Sequence, residues 1–539
     1  MAQLVRPCAL RETFLFSTAV PNPDLWNEGQ ACFSINEAPQ MKNTLFVCAI
    51  FLFCVLATHV AFSQSSPDAD PGPEFRIWTD STGQHETEAA MVRLSENVVL
   101  LQKRDGSEIS VGISLLSEDD QRYARVEQAR RDAPTPPVNP GDDPASDTAT
   151  GVSADWPGWR GAARDGRSPD VGLLKSWHEG GPLLLWKVDG IGEGYSNVAV
   201  VDGNVYTTGV VDERLYVFVI DSKGDPQGRF EHGPAFMDSN YDGSRSTPTI
   251  SDGKLYIMSG RGLVGCYDAS NGDRHWSVDM VRDLGGAVPT WGYAESVLII
   301  GELAVIAPGG NNVIVALNKN TGQPVWRTQG VSAGAQYGSC YAFVHDDVPM
   351  IALGTAEGLL CVDARNGRVL WTNPFSTRNT ANCPTAVYSD GHVFWANGYG
   401  KGGICMRLDV QNGVVRAEEA WQTSDMDSQV GGYIVHEGYI YGNDAGGWTC
   451  LDLRTGEKQW EDRGAVGKGS ICYADEMLYL FGESGGRMAL GTCSPEGLEI
   501  TGEHRVEGER QSWAHPVVIG GRLYIRYDRN LYCFDVKGG

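Results

Sequence analysis

One phrase recurs along this chain, and its spacing leaves few folds open. It reads most plainly as GCYDASNGDRHW, from Gly265 to Trp276. An alternating apolar run ends at Asp268, Asn271-Gly272 marks a turn, and a strand carrying Trp276 follows. Asn-Gly is the strongest short hairpin signal, because both central residues of a type I′ turn need positive φ. The phrase returns as ALNKNTGQPVW (Ala316 to Trp326), CVDARNGRVLW (Cys361 to Trp371) and CLDLRTGEKQW (Cys450 to Trp460). A longer version, RLDVQNGVVRAEEAW, runs from Arg407 to Trp421. Degenerate copies reach Asp221 and Gly491, and a last one stops at Asp535. A period of ~40–50 residues filled with short strands reads as propeller blades.

Each phrase has the same preface. STPTISDGKLYIMSG, from Ser246 to Gly260, is an alternating strand, an Asp-Gly turn and a second alternating strand. Equivalent stretches begin at Asn197, Thr385 and His515. Two strands of preface and two of phrase make four per blade, and the phrases number eight. The last phrase stops after its third strand, while Leu183 to Val188 (LLLWKV) is a Trp-bearing strand with no phrase before it. Pairing the Trp186 strand into the last blade removes two open edges. The predicted fold is all-β, an eight-bladed propeller whose N-terminal strand closes the last blade. Trp186, Trp276, Trp326, Trp371, Trp421 and Trp460 are its structural repeat positions. Cys266, Cys361, Cys450 and Cys533 share the position held by Ala316, one to a blade, which places them too far apart to bridge. A buried thiol there packs as a small apolar residue.

The 539 residues carry a formal net charge of −25, which makes nucleic acid and anionic membrane surfaces poor partners. Residues 1–40 show no periodicity. Met41-Lys42-Asn43, an apolar run from Leu45 to Phe62 and a small-x-small site at Ala61-Phe62-Ser63 describe a secretory signal peptide. The expectation is that translation starts at Met41, that residues 1–40 are a gene-start artefact, and that 41–63 are removed on export. Periplasm, envelope or medium would then receive a chain with no stable membrane span. A membrane anchor is the alternative, since the apolar run is just long enough to span. The exported part keeps nine cysteines and no C-x-x-C, so it encodes neither a redox pair nor a haem attachment.

Residues 75–131 have another texture: short strands joined by Thr-Gly, Glu-Asn and Asp-Gly turns, then Ser117 placed to cap a polar helix. Arg76, Trp78-Thr79-Asp80, Lys103-Arg104-Asp105-Gly106 and Leu116-Ser117-Glu118-Asp119-Asp120 give this segment its resemblance to the Sla-one homology domain, a small SH3-like β-barrel. In eukaryotic adaptors such domains bind peptide sorting signals. Residues 132–154, rich in Pro, Asp and Ser, read as a solvated linker, and 155–539 as the propeller.

Four stretches of the propeller are distinctive together: DWPGWRGAARDGRSPD from Asp155, WKVDGIGEGYS from Trp186, WGYAES from Trp291 and SWAHPV from Ser512. They resemble the exported PQQ-like propeller proteins of planctomycete bacteria, related in fold to quinoprotein alcohol dehydrogenases and to the assembly factor BamB. The resemblance implies that the repeat Trp docks between neighbouring blades. Quinoprotein relatives hold PQQ in the central funnel beside a vicinal disulfide, a calcium bound by Glu, Asn and Asp, and a catalytic Asp. This chain has no Cys-Cys pair. Glu295 and Asn197 are possible calcium ligands, with no Asp at the matching register of another blade. Where family members often carry His-His in the sixth inner strand, it has Ser428-Gln429-Val430.

Register places Asn197, Arg245, Trp291, Glu295, Asn382, Lys468, Trp513 and His515 at or near the starts of innermost strands, facing the funnel. Convergent polar groups in an apolar toroid are where ligands bind, although they also line water-filled channels. The expected function is an exported binding or scaffold protein, with the small barrel as a second interaction module. Its partner would be a protein, peptide or glycan, with Trp291 and Trp513 as anchors and no catalytic residue, metal or cofactor. The alternative is a PQQ- and calcium-dependent dehydrogenase of an alcohol or sugar. Hydrolases and lyases sharing the architecture form a third class.

Overall fold

In this computed structural model the described residues are 75–95, 97–117, 120, 121, 123–125, 128, 155–238, 240–377 and 381–538. The readings of 1–40 and 41–63, and of the linker at 132–154, lie outside them. Among the described residues no helix is long and apolar enough to cross a membrane.

Strands β1 (Phe75–Thr79), β2 (Glu86–Ser95), β3 (Val98–Gln102) and β4 (Glu108–Gly112) form one antiparallel meander. Its core gathers Trp78, Ala89, Met91, Val99, Leu101, Ile113, Leu116 and Ala124. Three of the residues that carried the resemblance, Arg76, Thr79 and Ser117, meet a fourth at Asp120. Its carboxylate accepts the Thr79 N–H at 2.7 Å and pairs with Arg76 at 2.8 Å, while the Ser117 hydroxyl caps its N–H at 3.2 Å. The Arg76 guanidinium also lies 3.8 Å from the centre of the Tyr123 ring, a cation–π contact. A buried carboxylate thus ties the first strand to the capped turn.

Eight further four-stranded antiparallel sheets follow, one per repeat. We number them blades 1 to 8, with innermost strands at 199–201, 249–251, 298–300, 341–345, 387–389, 433–436, 469–474 and 517–519. The outermost strand of blade 8 is Leu183–Val188, in register with Leu531 to Asp535 so that Trp186 faces Cys533. The closure read from the two ends is the one observed.

The same register organises the blades' outer halves. Cys266 faces Trp276, Cys361 faces Trp371 and Cys450 faces Trp460, as Ala316 faces Trp326, and each pair is followed by a bulge. Cys405 facing Trp421 is a further pair of this kind, hidden in sequence because its hairpin is longer. Four of the indoles bond into the next blade: Trp276 Nε1 donates to the Lys319 carbonyl at 2.8 Å, Trp421 to Leu453 at 2.9 Å, Trp460 to Ser494 at 2.8 Å and Trp186 to Ser222 at 3.1 Å. Gly322 shows why a glycine ends the phrase. Its φ is +72° and a Cβ there would meet the Trp276 ring at 2.7 Å, so both backbone and packing demand it. In blade 7, where Gly502 replaces the Trp, the side chain of Trp177 lies against it from elsewhere in the chain.

The turn reading needs one correction. Asp252-Gly253 is a type I′ turn with φ of 50° and 69°, but at Asn271-Gly272 only the glycine has positive φ. There the Asp268 carboxylate accepts the N–H groups of Ser270 and Asn271, and Gly272 N–H bonds back to the Asp268 carbonyl. Asp268 as an Asx cap builds a longer loop than two-residue hairpin chemistry does.

Candidate functional site

A propeller's innermost strands turn backbone carbonyls toward the axis, and buried carbonyls require partners. Here the chain supplies them from the segment that opens the propeller. Trp156 exchanges backbone bonds with Val200 of blade 1, and the Pro157 carbonyl accepts from Ile250 of blade 2. Arg164 donates to the carbonyls of Ser296 and Cys340, each at 3.1 Å, at the approaches to blades 3 and 4. Trp159 Nε1 reaches Thr385 Oγ1 before blade 5 at 3.1 Å, and Arg160 reaches the Tyr433 carbonyl of blade 6 at 2.5 Å. Ser168 and Gly166 bond to Tyr473 of blade 7, and Asp170 accepts from Gly521 of blade 8. One segment therefore touches all eight blades and plugs the channel. Arg160 and Arg164 hold left-handed backbones, φ 59° and 56°, a local cost offset by these charge-assisted bonds.

Beside the plug runs a belt of hydrogen bonds from blade to blade. The N–H of His515 donates to Asn197 Oδ1, that of Asn197 to Thr247 Oγ1, that of Thr247 to Ser296 Oγ, and that of Ser296 to Ser339 Oγ. The small polar residues that register placed in the funnel are thus turned sideways. Their short hydroxyls join neighbouring blades, and they precede the innermost strands by two residues rather than starting them.

Above plug and belt lies a cup of about 190 Å³. Trp159 and Arg160 of the plug line it with His515, whose ring centre is 4.8 Å from that of Trp159. Tyr195, Tyr241, Trp291, Tyr337, Tyr399 and Trp513 supply the other rings. Trp513 packs between Tyr195 at 4.5 Å and Tyr241 at 5.2 Å, and its Nε1 donates to Glu483 at 2.7 Å. Trp291 lies against Tyr337 at 5.7 Å. Tyr399 is half exposed on a left-handed backbone, φ 63°, and its hydroxyl accepts from Gln429 at 2.6 Å.

Of the eight residues expected here, Arg245, Trp291, Trp513 and His515 line the cup. Arg245 spends two guanidinium bonds, each 2.7 Å, on the carbonyls of Gly243 and Tyr241. His515 holds the Val430 carbonyl with Nε2 at 3.0 Å, and burial with the nearby Arg160 charge pushes its pKa down to about 3. The other four stand behind the lining. Asn197 is a belt residue. Asn382 accepts from Thr377 and donates to Gln336, and Lys468 pairs with Glu483 at 3.1 Å. Glu295 is buried, its Oε1 accepting from Ala307 N–H at 2.6 Å, and burial pushes its pKa up to about 8 against the pull of that N–H and of Arg164.

Reasoning from inner-strand register missed Trp159, Tyr195, Tyr241, Tyr337 and Tyr399. A signal was there for three of the walls: Tyr195 stands two residues before the belt's Asn197, Tyr337 two before Ser339 and Trp291 five before Ser296.

The lining does not fit PQQ with calcium. Calcium takes six to eight oxygens, largely carboxylate, and among the described residues no Asp or Glu lines the cup. Among the described residues no group of three His, Cys, Asp or Glu side chains could hold a metal.

Fold and site together define a plugged eight-bladed propeller with an aromatic cup. The family profile described as outer membrane protein assembly factor BamB matches residues 183–462, just over half the chain, and the chain belongs to that family. SLA1 homology domain 1 matches residues 63–131. BamB of Burkholderia pseudomallei is 28% identical over 204 residues, 36% of this chain and 49% of the relative, so the chain spans about half the length of the curated relative it matches. Among solved structures, a europium-containing methanol dehydrogenase superposes with a TM-score of 0.51 at 11% identity, covering 69% of this chain and 89% of the other. The quinohemoprotein alcohol dehydrogenase of Comamonas testosteroni gives 0.51 at 12%, covering 72% and 81%. At such identities the likeness is one of fold.

Proposed function

We propose that this chain is an exported binding propeller of the cell envelope, holding a peptide or glycan in the cup, with the small barrel as a second interaction module. One observation carries the reading. The cup is walled by aromatic rings and floored by the chain's own plug, and among the described residues no lining carboxylate would serve acid–base or metal chemistry. The family's description as an outer membrane assembly factor supports an envelope setting. The signal-like segment at 41–63 agrees with export.

The fold shared with two alcohol-oxidising enzymes raises a dehydrogenase reading, and the lining argues against it. The test is to screen the full chain against oligosaccharide and peptide arrays beside a Trp291→Ala/Trp513→Ala variant, and to titrate it with PQQ and calcium. Expected are array binding lost in the variant, and PQQ affinity no better than ~0.1 mM, roughly −5 kcal/mol. Dye-linked alcohol oxidation should be absent. Micromolar, calcium-dependent PQQ binding abolished by Glu295→Ala would put the dehydrogenase first.

A further inference from the structure

We infer that the cup selects an anionic sugar: the terminal saccharide of a glycan, carrying a carboxylate or sulfate. This rests on the binding reading above and names the ligand's chemistry.

Three features of the cup carry it. The first is charge. Among the described residues two guanidinium groups, Arg160 and Arg245, belong to the lining and no carboxylate does, although the whole chain carries −25. Arg245 bonds only to neutral carbonyls, which leave its charge intact. Asp238 and Asp242 act on it from nearby, but neither lines the cup, and Asp165 lies beside Arg160 in the plug. Aromatic walls alone would suit a cation, and two lining cations reverse that preference. Arginine's planar fork fits carboxylate and sulfate oxygens.

The second feature is shape. The plug crosses the ring from blade to blade, so a ligand enters from one side and cannot thread through. A chain end fits such a cup. The third is the character of the wall. Flat rings alternate with phenol hydroxyls, the Gln429 amide and the hydroxyls of Ser339 and Thr385. A pyranose presents that same alternation, with C–H faces for the rings and equatorial hydroxyls for the polar groups. A peptide end with an aliphatic side chain would find little matching surface, since among the described residues the aliphatic lining is Ala294, Ala381, Pro384 and Val430.

Calorimetry on the full chain would use digalacturonate, its methyl diester, galactose 6-sulfate and the free-acid tripeptide Gly-Ala-Phe. The acid should bind at least about tenfold more tightly than the diester, the increment of one charge-assisted contact. Arg245→Gln should erase that preference and Arg245→Lys should keep it, while Trp291→Ala should weaken acid and ester alike. Sulfate and carboxylate arms tell the two anion sources apart, and tight binding of either supports the inference. Equal affinity for acid and diester, or a preference surviving Arg245→Gln, overturns the inference and leaves the binding reading standing. Tripeptide binding tighter than any sugar overturns it in favour of peptide ends. No binding by any probe overturns both.

Discussion

Glu295→Gln probes the buried polar interior directly. The side chain is 2% exposed, Oε1 accepts from Ala307 N–H, and Oε2 has no partner. Burial lifts the pKa from an ordinary 4.5 to about 8. Between those values the folded chain keeps a proton that the unfolded chain has released. Stability therefore falls as pH rises through the window and levels off above pH 8. At 1.36 kcal/mol per unit the whole window amounts to roughly 4–5 kcal/mol, of which about 2 kcal/mol is lost between pH 6 and 8. Glutamine keeps the acceptor for Ala307 and cannot ionise, so the variant lacks this slope. His232 and His515, pushed down by burial to about 4 and about 3, act in the opposite sense below pH 6.5. They do so in both proteins, and the difference isolates Glu295. Urea midpoints at pH 6, 7, 8 and 9 measure it. Wild type should lose ground to the variant up to pH 8 and then run parallel. Parallel behaviour from pH 6 onward would refute the claim that this carboxyl is buried and protonated.

Three further outcomes follow from the ring. Trp371→Ala should cost ~3–5 kcal/mol as a large core truncation, and a cost near zero would place the ring on the surface. Trp276→Phe should cost about 1 kcal/mol more than Trp371→Phe. Trp276 Nε1 donates to Lys319 O, whereas Trp371 Nε1 finds no partner among the described residues, so equal costs would contradict the docking bond. Deleting residues 155–190 removes the plug and the outer strand of blade 8 together, and should abolish the cooperative melt followed by near-ultraviolet circular dichroism. An unchanged melting temperature would mean that the ring closes by other contacts.

The blades were legible because their signals are local. A period-2 strand, an Asp-Gly turn with two positive φ values and a Trp opposite a small residue all lie within one repeat. Closure by Trp186 was legible because an unfinished last blade and an unclaimed first strand complete each other. The cup was less so, because register says which residues approach the axis and not which way they turn. Asn197, Thr247 and Ser296 approach it and are claimed by the preceding blade's backbone. Tyr241 and Tyr399 come from loops whose course no periodicity records, and Trp159 and Arg160 arrive from a segment with no place in the repeat. The Asn271-Gly272 turn misled because Asp268 offered its backbone a competing set of acceptors.

The plug and the closing strand both precede blade 1, yet their partners come late. Asp170 waits for Gly521, 351 residues away, and Trp186 for Cys533. A ribosome or translocon delivers them first and their partners last. Until then the Asp170 carboxylate and the Leu183–Val188 strand have no partner in the last blade. Every intermediate length must bear the entropy of that open loop without the bonds that repay it. The ring behaves as a necklace with its clasp at the two ends. A chain stalled or cut anywhere short of the last blade shows raw strand edges to proteases, and only a fully delivered polypeptide can lock.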